Sequence, residues 1–140
     1  MGETLRAILD SDVLIDFLQG RKEAQQEFRN YKKWEISVIT WMEVMSGVEG
    51  KDEVKECRNF LDGLVVHPLI ERVAEEAVSL RRKFRLRLPD AVIWATAREQ
   101  GCLLVTRNSR DFPKGDSTRS CSKFIVILLP FYSVYYNPLN

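Results

Sequence analysis

Short apolar runs alternate along the chain with longer segments in which apolar residues recur every three or four positions. The short runs predict strands, and the recurring pattern predicts amphipathic helices. The predicted strands cover residues 5–9, 35–39, 64–69, 102–105 and 124–129, and the predicted helices cover residues 13–18, 21–31, 40–46, 51–62, 70–84 and 88–100. This alternation predicts an α/β fold, in which a central, mostly parallel sheet of four to five strands carries helices on both faces.

The length of 140 residues fits one domain, which we expect to span residues 1–140, with residues 116–140 as an atypical C-terminal tail. The composition, with 45% hydrophobic and 29% charged residues, is ordinary for a globular protein. A net charge of +1 excludes a generally polycationic nucleic-acid binder, so contact with nucleic acid requires a local basic patch. No apolar run approaches the roughly 20 residues of a membrane span, so we expect no membrane association.

The chain has three cysteines, an odd number, and none stands in a Cys-x-x-Cys pair. This pattern supports neither a disulfide framework nor a zinc ribbon, and it favours a reducing, cytoplasmic compartment. The single histidine, His67, has no second histidine or nearby cysteine beside it. We therefore interpret His67 as a strand-end residue and not as a metal ligand.

Four acidic residues lie at the ends of apolar runs, namely Asp10, Glu43, Asp90 and Asp111. Ligand crevices form where the strands of an open parallel sheet end. Carboxylates gathered in such a crevice repel one another unless protons or hard cations neutralise them. The pattern therefore predicts a site for one or two Mg²⁺ or Mn²⁺ ions.

Each of these acids also has a purely structural explanation. Asp10 fits a helix cap, as do its neighbours Ser11 and Asp12. Glu43 fits the second half of a capping box that begins at Thr40. The other two acids suit a first helical turn and an Asx-type turn. Taken together, however, the four acids beside apolar sequence favour one metal site over four independent structural roles.

Metal-assisted hydrolysis of a phosphodiester is the chemistry that uses such a cluster. Oxygen ligands hold Mg²⁺ or Mn²⁺, usually with several retained waters. One ion lowers the pKa of a bound water, and a second ion, about 4 Å away, stabilises the leaving oxygen. No histidine, serine or cysteine nucleophile is needed, which agrees with the isolated position of His67.

Four sequence blocks carry a family resemblance. They are ILDSDVLID at 8–16, SVITWME at 37–43, LPDAVIWATA at 88–97 and LVTRNSRDF at 104–112. In order, spacing and local sequence these blocks resemble PIN-domain ribonucleases, and most closely the VapC-type toxins of bacterial and archaeal toxin–antitoxin pairs. The resemblance implies a three-layer PIN-like fold.

The same resemblance implies a metal-dependent endoribonuclease that leaves a 5′-phosphate and a 3′-hydroxyl. The four acids then form the catalytic and metal-binding pocket. Asn108 assists at the edge of the pocket, and Thr106 hydrogen-bonds a ligand carboxylate. The implied partners are a cognate antitoxin, for which residues 13–18 and 42–45 form a groove, and a second copy of the chain in a homodimer.

Two features depart from the family pattern. Asp12 stands where the family commonly has asparagine, and its carboxylate either adds metal affinity or caps the helix, the cap being the interpretation we favour. The segment 115–140 is longer than the usual ending and is apolar near its end. Its sequence leaves an edge strand, a dimer contact and a genetic scar as open explanations.

A basic stretch precedes Asp90, with five cations within residues 81–87. Helix C-termini favour cations, so a solvated helix end explains this stretch equally well. The functional interpretation is a phosphate track for single-stranded or looped RNA that leads to the acids. The RNA-binding residues predicted on this basis are Arg82, Arg85, Arg107 and Arg110.

Two other functions stay open at the level of sequence. A haloacid-dehalogenase-like phosphatase would use Asp10 as its nucleophile, because DSD at 10–12 imitates the Asp-x-Asp motif of that class. That class leaves Glu43 and Asp90 unexplained, and nothing after Asp116 supplies the further acid that it needs. The other alternative is a non-catalytic PIN module that binds RNA or protein, although an idle pocket would gain stability by losing a carboxylate.

Overall fold

The computed structural model describes residues 5–107, 125–128 and 133–136. Its strands are β1 (Leu5–Leu9), β2 (Tyr31–Ser37), β3 (Val65–His67), β4 (Leu103–Thr106), β5 (Ile125–Leu128) and β6 (Ser133–Tyr136). Its helices are α1 (Ser11–Leu18), α2 (Lys22–Phe28), α3 (Val38–Ser46), α4 (Lys51–Asp62), α5 (Glu71–Phe84) and α6 (Leu88–Gln100). In these ranges, no helix is both long and apolar enough to cross a membrane.

The six described strands form one sheet in the order β3-β2-β1-β4-β6-β5. β1 pairs in parallel with β2 and β4, and β2 pairs in parallel with β3. β6 runs antiparallel to both β4 and β5. The chain moves from β1 to β2 and β3 on one side and returns to β4 on the other, so a crevice opens where β1 and β4 end. The predicted α/β fold with a mostly parallel sheet is confirmed.

The tail supplies one strand more than the four to five expected. The strand predicted at 124–129 is found as β5, but it is β6 that pairs with β4, with Val105 opposite Val134. The sequence of β6, SVYY, is rich in the β-branched and aromatic residues that favour strands. Within the described ranges, the tail therefore extends the sheet as an antiparallel hairpin pair.

The sheet separates two apolar cores, because successive side chains of a strand point to opposite faces. Ala7 and Leu9 of β1 pack in one core with α1, α2, α3 and α4. Ile8 packs in the other core with α5 and α6. All three residues are fully buried. The layers on both faces thus fix the end of β1 and the residue that follows it, Asp10.

The start of α3 differs from the predicted capping box. The helix begins at Val38, and Ser37 is its cap, with the Ser37 hydroxyl accepting a hydrogen bond from the Ile39 amide at 3.1 Å. Thr40 therefore lies inside the helix, fully buried, and its hydroxyl has no hydrogen-bond partner among the described residues. The capping box was wrong because Ser37 supplies a competing cap three residues earlier.

A buried carboxylate ties the first three strands together. Glu35 of β2 is 1% exposed and accepts hydrogen bonds from Arg6 of β1 at 2.7 and 2.8 Å. His67 of β3 contacts the same carboxylate at 2.7 Å, in agreement with its predicted strand-end position. Burial acts to raise the pKa of Glu35, but the bonds from Arg6 and His67 outweigh it and lower that pKa. Burial and Glu35 raise the pKa of the nearby Cys102 thiol to about 12, so this thiol stays protonated.

Glu35→Gln is expected to destabilise the fold by about 1.5–3 kcal/mol at neutral pH, because charge-assisted bonds to Arg6 and His67 are lost. Since the pKa of Glu35 is lowered on folding, its contribution is present above the unfolded value of about 4.3 and is lost as the pH falls through the folded value. Urea unfolding at neutral and acidic pH measures both effects. The exposed Glu49→Gln is the control, and an equal loss in both variants would contradict the assignment.

Candidate active site

Asp10 lies where β1 ends and α1 begins. Its carboxylate caps the helix by accepting a hydrogen bond from the Ser11 amide at 2.7 Å. The buried hydroxyl of Thr106, at the end of β4, donates to the other carboxylate oxygen at 2.6 Å. The Asp10 amide donates to the Val105 carbonyl at 2.9 Å, in line with the parallel pairing of the two strands. Asp10 therefore joins β1, α1 and β4. It is the N-cap of α1, a role for which the sequence also allowed Ser11 and Asp12.

The environment of Asp10 disfavours its negative charge. The residue is 4% exposed. Burial is the main cause that raises its pKa to about 7, and repulsion from Asp12 and Asp90 acts in the same direction. The hydrogen bonds from Thr106 and Ser11 lower the pKa but do not compensate. A positive charge placed beside Asp10 would relieve this cost.

Ser11 connects Asp10 to the second acid. Its amide binds Asp10, and its hydroxyl donates to the Glu43 carboxylate at 2.6 Å. Glu43 is itself exposed on α3, and the bond from Ser11 holds its carboxylate at the surface of the crevice. Sequence reasoning considered Ser11 only as a helix cap. Its second role, the bond to Glu43, could have been suspected from the sequence, because Ser11 is a hydroxyl residue directly after an acid at a strand end.

Asp90 lies at the third position of α6, next to Pro89, and is 4% exposed. The guanidinium of Arg87 donates to its carboxylate at 3.1 Å, across the first turn of the helix. The charge of Asp90 raises the pKa of Asp10, so the two carboxylates share one electrostatic environment. Three of the four predicted acids thus lie around the crevice at the ends of β1 and β4.

Arg107 follows β4 directly and contacts α1. Its Nη1 lies 3.3 and 3.2 Å from the two carboxylate oxygens of Asp16, and its Nε lies 4.0 Å from Asp12. Asp12 is half exposed in the first turn of α1 and is not the cap, so the cap that the sequence favoured for it is wrong. Asp16 was not among the predicted site residues, because its partner lies 91 positions away in the sequence.

The remaining predicted residues fall into two groups. Arg82 is exposed in the last turn of α5, and Arg85 is exposed at its end, where its φ of 56° lies in the left-handed region and stops the helix. The other group lies outside the described residues and comprises Asn108, Arg110 and Asp111.

The donor set of the crevice fits a hard divalent cation. Asp10, Glu43 and Asp90 offer only oxygen ligands, which suit Mg²⁺ and Mn²⁺. In the part of the chain that the structure describes, no three acidic, histidine or cysteine side chains form a ready-made metal-binding group. Mg²⁺ commonly uses one or two carboxylates and keeps several waters, so the described residues are compatible with such an ion.

Comparison with known proteins identifies the family. A family profile described as "PIN domain" matches residues 7–116. The chain belongs to the PIN-domain family. The family resemblance inferred from the four sequence blocks is therefore confirmed. A search of curated proteins gives no match to this PIN domain.

Solved structures show the same fold. A chain of a toxin–antitoxin complex from Klebsiella pneumoniae is 39% identical to this PIN domain, with a TM-score of 0.72 over 76% of this chain and 89% of that one. VapBC from Salmonella typhimurium, bound to DNA, gives 24% identity and a TM-score of 0.65 over 77% and 90% of the two chains. VapBC2 from Rickettsia felis, bound to a DNA fragment from its promoter, gives 17% and 0.65 over 77% and 91%. These last two similarities concern the fold alone.

Asp10→Asn is expected to stabilise the metal-free protein above neutral pH, by up to about 4 kcal/mol. The folded pKa of Asp10 is raised to about 7 from an unfolded value of about 3.9, so wild-type stability falls as the pH rises between them. Asparagine stays neutral and remains a good helix cap. Urea unfolding in chelator from pH 4 to pH 8 measures the difference.

The matched control is Asp52→Asn, an exposed acid in the first turn of α4. We expect Asp52→Asn to cause a small loss of stability with little dependence on pH, since the helix dipole stabilises an acid in the first turn. A pH-independent difference between wild type and Asp10→Asn would contradict the raised pKa.

Proposed function

We propose that this PIN domain is a metal-dependent endoribonuclease and the toxin of a toxin–antitoxin pair. The observation that carries the proposal is the buried carboxylate of Asp10, whose pKa is raised to about 7 beside Asp12 and Asp90. Such an arrangement is costly for folding and is explained by a cation that binds there during function. The 39% identity to a chain of a toxin–antitoxin complex supports the same assignment.

The residues of the crevice have distinct roles in this proposal. Asp10 and Asp90 hold the cation, together with Glu43 and with Asp111, which lies outside the described residues. Thr106 and Ser11 orient the Asp10 carboxylate through bonds of 2.6 and 2.7 Å. When bound, Mg²⁺ or Mn²⁺ supplies the Lewis acidity that activates water and stabilises charge on the scissile phosphate.

Arg87 balances charge in the absence of a cation. Its guanidinium binds Asp90 and is 71% exposed, so it neutralises that carboxylate while remaining at the mouth of the crevice. With Asp90 bound to a cation, the exposed guanidinium of Arg87 would be available at the mouth of the crevice for an RNA phosphate. Asn108 assists at the edge of the pocket in this proposal.

The same geometry disfavours the phosphatase alternative. A nucleophilic aspartate needs an oxygen that is free to attack a phosphorus atom. Both oxygens of Asp10 accept hydrogen bonds, from Ser11 and Thr106, in a position that is only 4% exposed. The oriented and buried carboxylate suits a cation ligand better than a covalent nucleophile.

RNA in single-stranded or looped form is the substrate class that we propose. The crevice needs an accessible phosphate backbone, and such RNA presents it with splayed bases. Arg82, in the last turn of α5, and Arg85, just after that helix, are both exposed and precede α6, which carries Asp90. Because the net charge is only +1, this local cluster supplies the attraction that the whole molecule does not. Arg110, outside the described residues, belongs to the same proposed track.

A cognate antitoxin is the protein partner that we propose. Apolar side chains of α1 and α4 line a groove of about 330 Å³, with acidic residues on its rim. The lining residues are Phe17, Leu18, Val48, Glu53, Glu56, Cys57 and Phe60. Leu18, which lines the groove, is 40% exposed and leaves apolar surface for a partner to cover, whereas residues 42–45 of the groove expected from the sequence are not among its lining. Pairing of two copies into a homodimer belongs to the same proposal.

Asp10→Asn and Asp90→Asn are each expected to reduce RNA cleavage by about 100-fold or more, because loss of a cation ligand removes several kcal/mol of transition-state stabilisation. The measurement is cleavage of a mixed pool of single-stranded and structured RNA in Mg²⁺, in Mn²⁺ and in chelator. Products are expected to carry 5′-phosphate ends, and chelator is expected to stop the reaction.

Asp52→Asn is the matched control for this assay, because it removes an exposed acid on the opposite face of the sheet from α6. It is expected to cleave like the wild type. Full activity of Asp90→Asn, or cleavage that persists in chelator, would contradict the assignment. Phosphate release from a small phosphomonoester without RNA cleavage would favour the phosphatase instead.

Replacing Arg82 and Arg85 together with glutamine is expected to weaken RNA binding and to flatten its salt dependence by about 0.7 per lost phosphate contact. Binding of a single-stranded RNA at several salt concentrations measures the slope. The control replaces Lys51 and Lys55 of α4 with glutamine, which removes the same charge from the opposite face. Equal slopes in the two double variants would mean that Arg82 and Arg85 only form a solvated helix end and do not contact RNA phosphates.

A further inference from the structure

Asp16 is a buried carboxylate that the proposed reaction does not use. It lies on α1, six residues after Asp10, and is 3% exposed. A buried charge of this kind is costly unless a partner of opposite charge stays beside it. Arg107 provides that partner, with Nη1 at 3.2 and 3.3 Å from the two carboxylate oxygens.

Arg107 lies next to the residue that orients Asp10. Thr106 and Arg107 are consecutive at the end of β4, and each binds a carboxylate of α1 or of its cap. The backbone positions of Asp10 and Asp16 are about 9 Å apart along the helix axis, from the rise per residue of an α-helix. Two bonds at separate points fix both the position and the orientation of the β4 end against α1. Pairing with β1 already holds Val105, and the ion pair of Arg107 adds an attachment just beyond the last residue of the strand.

Arg21 allows the contribution of Arg107 to be isolated. It also contacts Asp16, with Nε at 3.4 Å, and its amide donates to the Asp16 carbonyl at 3.0 Å. Arg21 lies between α1 and α2 in the chain, however, whereas Arg107 directly follows β4. Both arginines bind Asp16, but Arg107 connects it to the end of β4 and Arg21 connects it to the segment between α1 and α2.

We propose that Arg107 is a positioning residue that acts through Asp16. Its ion pair holds the end of β4 so that Thr106 keeps the Asp10 carboxylate oriented for a cation. The same attachment sets the point from which the chain continues to Asn108. This inference rests on the proposed nuclease function, and it replaces direct RNA contact as the role of Arg107.

Arg107→Ala and Asp16→Asn are each expected to lower kcat for RNA cleavage and the affinity for Mn²⁺ by about 10- to 100-fold. KM for RNA and the salt dependence of RNA binding are expected to stay at the wild-type values. The double variant is expected to lose less than the sum of the two single variants, since both remove the ion pair between Arg107 and Asp16. Mn²⁺ affinity measured by calorimetry provides a readout that does not depend on turnover.

Arg21→Ala is the matched control. It removes the other guanidinium from Asp16, so it is expected to lower the melting temperature as much as Arg107→Ala does. Its kcat and Mn²⁺ affinity are expected to match the wild type. Equal losses of kcat in the two arginine variants would reduce Arg107 to a purely structural role and overturn the proposal. If Asp16→Asn does not fold, the two arginine variants decide the question alone.

A role in RNA contact gives a different pattern. Arg107→Ala would then raise KM and flatten the salt dependence, with Mn²⁺ affinity unchanged and Asp16→Asn without effect. That result would overturn the positioning role while leaving the nuclease intact. If the wild type neither cleaves RNA nor binds Mn²⁺ in a manner that Asp10→Asn abolishes, the proposed function fails, and this inference fails with it.

Discussion

A carboxylate buried at the junction of three elements constrains the architecture of the site. Asp10 ends β1, caps α1 and accepts a hydrogen bond from Thr106 of β4. The apolar layers on both faces of β1 hold it in place, since Ala7, Ile8 and Leu9 are fully buried. Burial and like-charged neighbours raise its pKa to about 7. The fold thus places a carboxylate where its charge is costly, which is the arrangement expected of a site that works with a bound cation.

Neighbouring contacts determine how far the negative charges around the crevice are neutralised. Ser11 links Asp10 to Glu43, while Arg87 neutralises Asp90 from an exposed position. Asp10 itself accepts hydrogen bonds from neutral groups, those of Ser11 and Thr106, and its pKa stays raised. A second buried carboxylate, Asp16, is instead paired with two arginines, Arg21 and Arg107. The two buried carboxylates therefore differ: the charge of Asp16 is already neutralised by arginines, whereas the Asp10 carboxylate can still take a cation.

The sequence predicted most local features and few tertiary ones. β1 and α4 were predicted at their observed bounds, because β1 is a short apolar run and α4 has amphipathic spacing that ends before Gly63. The placement of Asp10 at the end of β1 could be predicted because it follows a short apolar run directly, whereas Glu43 and Asp90 lie in helices and Asp111 lies outside the described residues. The start of α3 was misplaced because two hydroxyl residues offered competing caps. The ion pair between Arg107 and Asp16 joins residues 91 positions apart, and no local pattern indicates such a contact.

The most direct test of the central claim follows the carboxyl carbon of Asp10 by NMR as a function of pH, first in chelator and then in Mg²⁺. The account predicts titration near pH 7 in chelator. In Mg²⁺ it predicts a carboxylate that stays ionised well below that pH, because a bound cation favours the charged form. A resonance that titrates at the ordinary aspartate value of about 3.9 in both conditions would contradict the account. Titration near pH 7 that Mg²⁺ leaves unchanged would contradict the cation site.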